Sequence, residues 1–217
     1  MVVVDVILVF IVIGIVSVVW KIVNLMRPTT GKAIELYREP RQALLVVDVQ
    51  EDLTGKSAHQ RFGYKNTEAF IAQVNEVIAA AVEKEILVVY VGQECPDSLF
   101  FRIAYGGRLL KGGAGTRQDD RLLLVSENYF SKQRSDAFSN PQLEQFLAAN
   151  QVDEIFIVGL DAAACVYKTA LGAVNRNYKV TIITNAVITN FNKTKEQLVA
   201  MYQKKGIGSK DSMAVWG

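Results

Sequence analysis

Three residues of this chain pair a reactive side chain with a position from which reactions are commonly run: Asp48, Lys132 and Cys165. Asp48 is the first charge after the apolar run Ala43–Val47, so its carboxylate stands where a strand ends and a site can open. A carboxylate there can take up and return a proton. Cys165 follows the apolar run Glu154–Val158 and the turn Gly159-Leu160-Asp161, in the first turn of the helical pattern beyond. Backbone N–H groups are unpaired at a helix start, and the positive end of the helix dipole favours a thiolate. The same N–H groups can receive a developing oxyanion. Lys132 closes the run Tyr129-Phe130-Ser131-Lys132 and offers a positive charge at a strand end. All three stand at a strand end or a helix start and could converge on one edge of a sheet, but order along the sheet does not follow from spacing.

Each residue also has an ordinary explanation. Asp commonly caps a turn or helix, a free Cys is most often a buried structural thiol, and a strand-end Lys is commonly just solvated. Gln50 and Asp52 stand close to Asp48, so local pattern alone does not single out one acid. Asp161 reads as the N-cap of the helix that carries Cys165.

The elements that must position these residues alternate along the chain. Ala43–Val47, Ile86–Val91, Glu154–Val158 and Lys179–Ile183 are bulky and apolar on both faces, as strands of a parallel sheet are. Leu122–Val125, running on toward Phe130, reads as a fifth strand, and Ser212–Trp216 as a sixth. Between them, Phe70, Ile71, Val74, Val77, Ile78, Ala81 and Val82 mark one helical face behind the caps Asn66 and Thr67. Asn140-Pro141 opens a helix with Leu143, Phe146 and Leu147. Val166, Ala170, Ala173 and Val174 mark a third helix, and Leu198, Val199 and Tyr202 a fourth. The expected fold is α/β: a doubly wound, mainly parallel sheet of about five or six strands with helices on both faces. Ligands of such sheets bind at the carboxyl ends of the strands. The stretch Gln93–Arg121, rich in glycine and poor in periodicity, reads as a loop covering the site. Its glycines are not followed by the Gly-Lys-Ser/Thr of a phosphate loop.

With 217 residues, half of them hydrophobic, the chain has room for one such domain and a short appendage. A net charge of +2 gives no electrostatic case for a nucleic-acid partner. Two distant cysteines, Cys95 and Cys165, make no disulfide framework, and a single histidine, His59, cannot supply a multi-histidine metal cage.

The appendage is the N-terminus. The run from Val6 to Met26 is interrupted by one Lys, and as a helix it would span roughly 30 Å, the hydrocarbon thickness of a bilayer. A cleaved signal peptide would call for a basic start and a small-residue cleavage site, which the stretch does not clearly show. Residues 1–26 are therefore expected to form a single-pass transmembrane anchor in the lipid bilayer, 27–40 a linker and 41–217 the domain. Lys21, Arg27, Lys32, Arg38 and Arg41 follow the middle of the span while only Asp5 precedes it, which places the domain on the cytoplasmic side.

Three stretches, ALLVVDVQEDL, YFSKQRSDAFSNPQLEQFL and IFIVGLDAAACVYKTALGAVNRNYKVTIITNAV, resemble the three signature blocks of the isochorismatase-like cysteine hydrolases, among them nicotinamidases, N-carbamoylsarcosine amidases and streptothricin hydrolases. The resemblance covers roughly residues 41 to 190. It implies a catalytic triad of Asp48, Lys132 and Cys165, an oxyanion hole made by the N–H groups of Ala164 and Cys165, and a non-proline cis peptide between Leu160 and Asp161. It also implies a small amide-like substrate, no cofactor, and a homo-oligomer as one assembly the family uses. Metal-dependent relatives carry Asp and His ligands after the second strand; here Gly92-Gln93-Glu94-Cys95-Pro96-Asp97 holds no histidine, so no metal is expected. Ala162 stands where the family often has Thr. The reaction implied is hydrolysis of a small amide, imide or carbamoyl C–N bond through a Cys thioester. The alternatives are isochorismatase-type vinyl-ether hydrolysis, which proceeds without a nucleophilic Cys, and a non-catalytic binding protein that keeps the fold. Leu53, Gln93, Tyr105 and Phe138 are the candidate substrate-binding residues, against ordinary core packing for the aromatics.

Overall fold

A computed structural model describes residues 2–55, 58 and 63–212 of the chain. Its six strands are β1 (Arg41–Val47), β2 (Leu87–Gln93), β3 (Tyr129–Lys132), β4 (Val152–Leu160), β5 (Lys179–Ile188) and β6 (Gly208–Lys210). They form one sheet in the order β3-β2-β1-β4-β5-β6, with every neighbouring pair parallel. Side chains alternate across a strand, so the two faces of β1 build two cores. Leu44 and Val46 pack with Phe70, Val74 and Ile78 of α2 (Thr67–Glu83). Leu45 and Val47 face a core that holds residues of α4 (Pro141–Ala149), α5 (Cys165–Val174) and α6 (Lys195–Gln203). This is the expected parallel sheet with helices on both faces.

Some boundaries differ from the sequence reading. Leu122–Val125 is not a strand: Leu123, Leu124 and Val125 are exposed, and the third strand begins at Tyr129. Apolar content alone had suggested pairing that the backbone makes only from Tyr129, opposite Tyr90. The last strand is Gly208–Lys210; residues 213–216 of the expected final strand lie outside the described residues, as does His59. Asn66 holds the N-cap position of α2 but in a left-handed conformation, φ 57°, with no capping bond from its side chain. The Gln93–Arg121 stretch is not an unbroken loop either. It carries α3 (Leu99–Ala104), capped by Ser98, and a short 3-10 turn at Ala114–Thr116.

The N-terminal helix α1 (Val2–Met26) stands clear of the sheet, and the window Leu8–Met26 has no buried residue. By length and composition it is long and apolar enough to cross a membrane. The residues after it do not behave as a free linker. Thr29 donates its N–H and its hydroxyl to Asp136 Oδ2, each at 2.6 Å, and Arg176 donates to Thr29 Oγ1 at 3.0 Å. Asn175 Nδ2 donates to the Thr29 carbonyl at 2.8 Å, Ser135 N to that of Leu25 at 2.9 Å, and Ile34 N to that of Arg176 at 2.9 Å. The polar composition that reads as a linker is used here to dock the helix exit on the domain.

Candidate active site

The strand order reverses between β1 and β4, since β2 and β3 lie on one side of β1 while β4, β5 and β6 lie on the other. Crossovers leave in opposite directions at such a point and open a crevice beyond the strand ends. Asp48, the residue after β1, stands there with φ 58°, a left-handed conformation that Asp tolerates better than most residues. Its N–H still donates to the Val91 carbonyl at 2.8 Å. The turn thus closes the ladder to β2 and releases the side chain into the crevice.

Lys132 approaches from the far side of β2. It is the last residue of β3, paired with Gln93, and two strand spacings of about 4.8 Å separate β3 from β1. Only a long side chain bridges that gap. Its ammonium donates to Asp48 Oδ2 at 2.9 Å, to Gln93 Oε1 at 2.7 Å and to Cys165 Sγ at 3.5 Å. An ammonium has three hydrogens, and each has an acceptor. The side chain is 0% exposed, a burial that costs several kcal/mol for an unpaired ion. Burial opposes the charge on Lys132, but Asp48 and Cys165 outweigh it and hold the ammonium above the usual lysine range.

Cys165 opens α5, whose N-cap position is taken by Ala164 with no side-chain capping bond. Asp161 is therefore not the N-cap, although it organises the turn. Its carboxylate accepts from Ala163 N at 2.7 Å, Thr189 Oγ1 at 2.8 Å, Asn190 N at 2.8 Å and Tyr64 OH at 3.2 Å. The Leu160–Asp161 peptide is cis. Burial pushes the Cys165 thiol up to about 12, with Lys132 pulling it down and Asp48 pushing it further up. The helix start and the lysine thus work against burial at a residue that is itself only partly buried and lines the cavity. Asp48 Oδ1 is buried and accepts no well-formed hydrogen bond among the described residues. A proton acceptor therefore stands ready beside a thiol that must lose its proton to react. Of the two expected oxyanion donors, Ala164 N–H already donates to the Asp161 carbonyl at 3.0 Å, while Cys165 N–H has no backbone acceptor among the described residues.

Asp48 and Cys165 line a cavity of about 340 Å³, a size suited to a small molecule. Leu53, Gln93 and Tyr105 also line it, but their parts differ. Gln93 has its side chain committed to Lys132 and, through Nε2, to Cys95 Sγ at 3.4 Å, so it orients the lysine. Phe138 is not in the wall. It is buried in the core, its ring 5.6 Å from that of Tyr178 and 4.8 Å from the Arg176 guanidinium. Met26, Tyr64, Arg108, Leu109 and Phe191 are also in the wall and were not singled out from the sequence as site residues. Phe191 just beyond the end of β5 was the legible one, because ligand sites lie past strand ends.

Among the described residues, no group of three or more His, Cys, Asp or Glu side chains could hold a metal ion. After β2, Glu94 accepts from Tyr129 OH at 3.0 Å and Asp97 pairs with Arg102. These side chains are turned to separate partners and do not converge.

Residues 42–208 match the family model described as the isochorismatase domain. No curated protein is significantly similar to the chain. Among solved structures, N-carbamoylsarcosine amidase from Thermoplasma acidophilum is 27% identical, with a TM-score of 0.69 over 82% of this chain and 99% of that one. A cysteine hydrolase from Pseudomonas syringae is 18% identical, with a TM-score of 0.71 over 87% of this chain and 97% of that one. Pyrazinamidase of Pyrococcus horikoshii, solved in complex with zinc, is 24% identical, with a TM-score of 0.68 over 79% of this chain and 99% of that one.

Proposed function

This chain belongs to the isochorismatase family, and from that premise we propose that it is a membrane-anchored cysteine hydrolase acting on the C–N bond of a small amide, imide or carbamoyl compound. The observation that carries the proposal is the single ammonium of Lys132 bonded to both Asp48 Oδ2 and Cys165 Sγ, the two residues that line the cavity. The likeness to an N-carbamoylsarcosine amidase at 27% identity supports C–N chemistry.

Asp48 Oδ1 takes the thiol proton as Cys165 Sγ attacks the substrate carbonyl carbon. The carbonyl oxygen becomes an oxyanion beside Cys165 N–H, with Ala164 N–H sharing its hydrogen between this oxygen and the Asp161 carbonyl. The C–N bond then breaks, the leaving nitrogen receives the proton from Asp48, and a thioester remains on Cys165. Water attacks the thioester while Asp48 takes its proton. The C–S bond breaks, and the proton returns to sulfur. Lys132 fixes the carboxylate and offsets the negative charge that appears on sulfur during each half of the cycle. Substrate and water are converted to an acid and an amine, ammonia or, from an imide, an amide, and the protein ends as it began.

The anchor is the helix α1, whose apolar side chains are left largely exposed by the domain. The excess of Lys and Arg on its C-terminal flank supports a cytoplasmic domain. The test of the chemistry uses the full chain in detergent against a panel of small amides, including N-carbamoylsarcosine. A covalent acyl mass on Cys165, absent in Cys165→Ser, is the expected result. Turnover of a vinyl ether such as isochorismate that survives Cys165→Ala would select vinyl-ether hydrolysis instead.

A further inference from the structure

The cavity wall includes Met26, the last residue of the apolar helix α1, so the candidate site and the candidate membrane span are contiguous. A second link runs through α3. The Lys21 ammonium lies 5.6 Å from the centre of the Phe100 ring, and that ring meets Phe101 edge-on at 5.1 Å. Phe101 in turn stands 6.1 Å from Tyr105, which caps α3 and lines the cavity. α3 is thereby held beside the span at the level of Lys21, about 7.5 Å along the helix axis from Met26.

Beside its exposed Arg102–Asp97 ion pair, α3 presents apolar side chains outward. Leu99 is 75% exposed and Ile103 69%, and Phe191 at the cavity wall is 52% exposed. On α1, Trp20, Val23 and Met26 are exposed apolar side chains as well, and Met26 shares the cavity wall with Phe191. A hydrolase for a water-soluble amide gains nothing from apolar side chains around its entrance. One that takes its substrate from a bilayer does, because each methylene of an alkyl chain favours the lipid by roughly fourfold.

Resting on the anchor and amidase readings above, we propose that α3 dips into the lipid surface, and that the cavity admits amides carrying an alkyl chain directly from the bilayer. The reactive carbonyl reaches Cys165 while the chain trails between Met26, Tyr105 and Phe191 toward the lipid. The alternative cover for the α3 face, a second copy of this chain, is an outcome of the test.

The experiment uses the full chain in phosphatidylcholine vesicles, with Ile103→Trp in a Trp20→Phe, Trp216→Phe background. Flotation with the vesicles reports the anchor. Bromine on shallow positions of the acyl chains should quench the new tryptophan. Dodecanamide should protect Cys165 from iodoacetamide at mildly alkaline pH about tenfold better than butanamide does, whether or not either is turned over. Flotation without quenching overturns the proposal and leaves the anchor standing, and loss of flotation overturns both. A tryptophan that is shielded from bromine and becomes buried as protein concentration rises assigns the face to a second copy and also overturns it. Equal protection by the two amides removes the alkyl-chain substrate class. Protection by dodecanamide without turnover of any amide sustains the entrance while removing the amidase reading.

Discussion

Lys132 Nζ reaches across β2 to hold Asp48 Oδ2 at 2.9 Å, and the side chains of both residues are almost wholly buried. Because the lysine has no solvent to share its charge with, its removal should be felt at once by the carboxylate and by the sulfur.

The first prediction follows from those opposed influences on the Cys165 thiol. Lys132 lowers its proton affinity and Asp48 raises it. In Lys132→Met, the pH profile of iodoacetamide labelling at Cys165 should move to higher pH. In Asp48→Asn, which keeps a residue tolerant of the left-handed turn, it should move to lower pH. Hydrolysis should fall by roughly 100-fold or more in both, as loss of acid–base help commonly costs. Breaking the buried pair in Lys132→Met should also remove about 3–5 kcal/mol of stability, read by denaturant titration. Labelling curves that stay in place in both variants would separate the three residues.

A second prediction concerns the strand beneath the nucleophile. Gly159 pairs with Val47 in the sheet and has φ 117°, a conformation that favours glycine. A Cβ there would run into the Val47 carbonyl oxygen. Gly159→Ala should therefore cost more than about 2 kcal/mol, seen as a lowered Tm or failure to fold. An unchanged Tm would mean that β1 and β4 can separate without penalty.

Metal removal supplies a third. Glu94, Cys95 and Asp97 are turned to separate partners, so hydrolysis of any amide that proves to be a substrate should survive exhaustive chelation. Stoichiometric zinc or iron lost together with activity would contradict this.

Topology is the fourth. Carbonate-washed membranes should retain the chain, and protease added outside whole cells should leave the domain intact. Release by carbonate would argue against the span, and digestion from outside would reverse the orientation.

Much of the molecule was legible before its structure. Ala43–Val47 and Glu154–Val158 are short, bulky and β-branched apolar runs, as strands covered on both sides are, and they became the adjacent centre of a parallel sheet. Cys165 followed a strand and preceded a helical stripe, which put it in the first turn of α5. The three signature blocks named Asp48, Lys132 and Cys165 as a set. Tertiary structure decided the rest, because it depends on which strands become neighbours. Local pattern does not encode strand order, so only the sheet shows Lys132 crossing β2, Gln93 bonded to the lysine at the cavity wall, and Phe138 in the core. The thiol's proton affinity belongs to the same class. Helix start and lysine are local or motif-level features that favour the thiolate, whereas the burial that opposes them is set by everything packed around the sulfur.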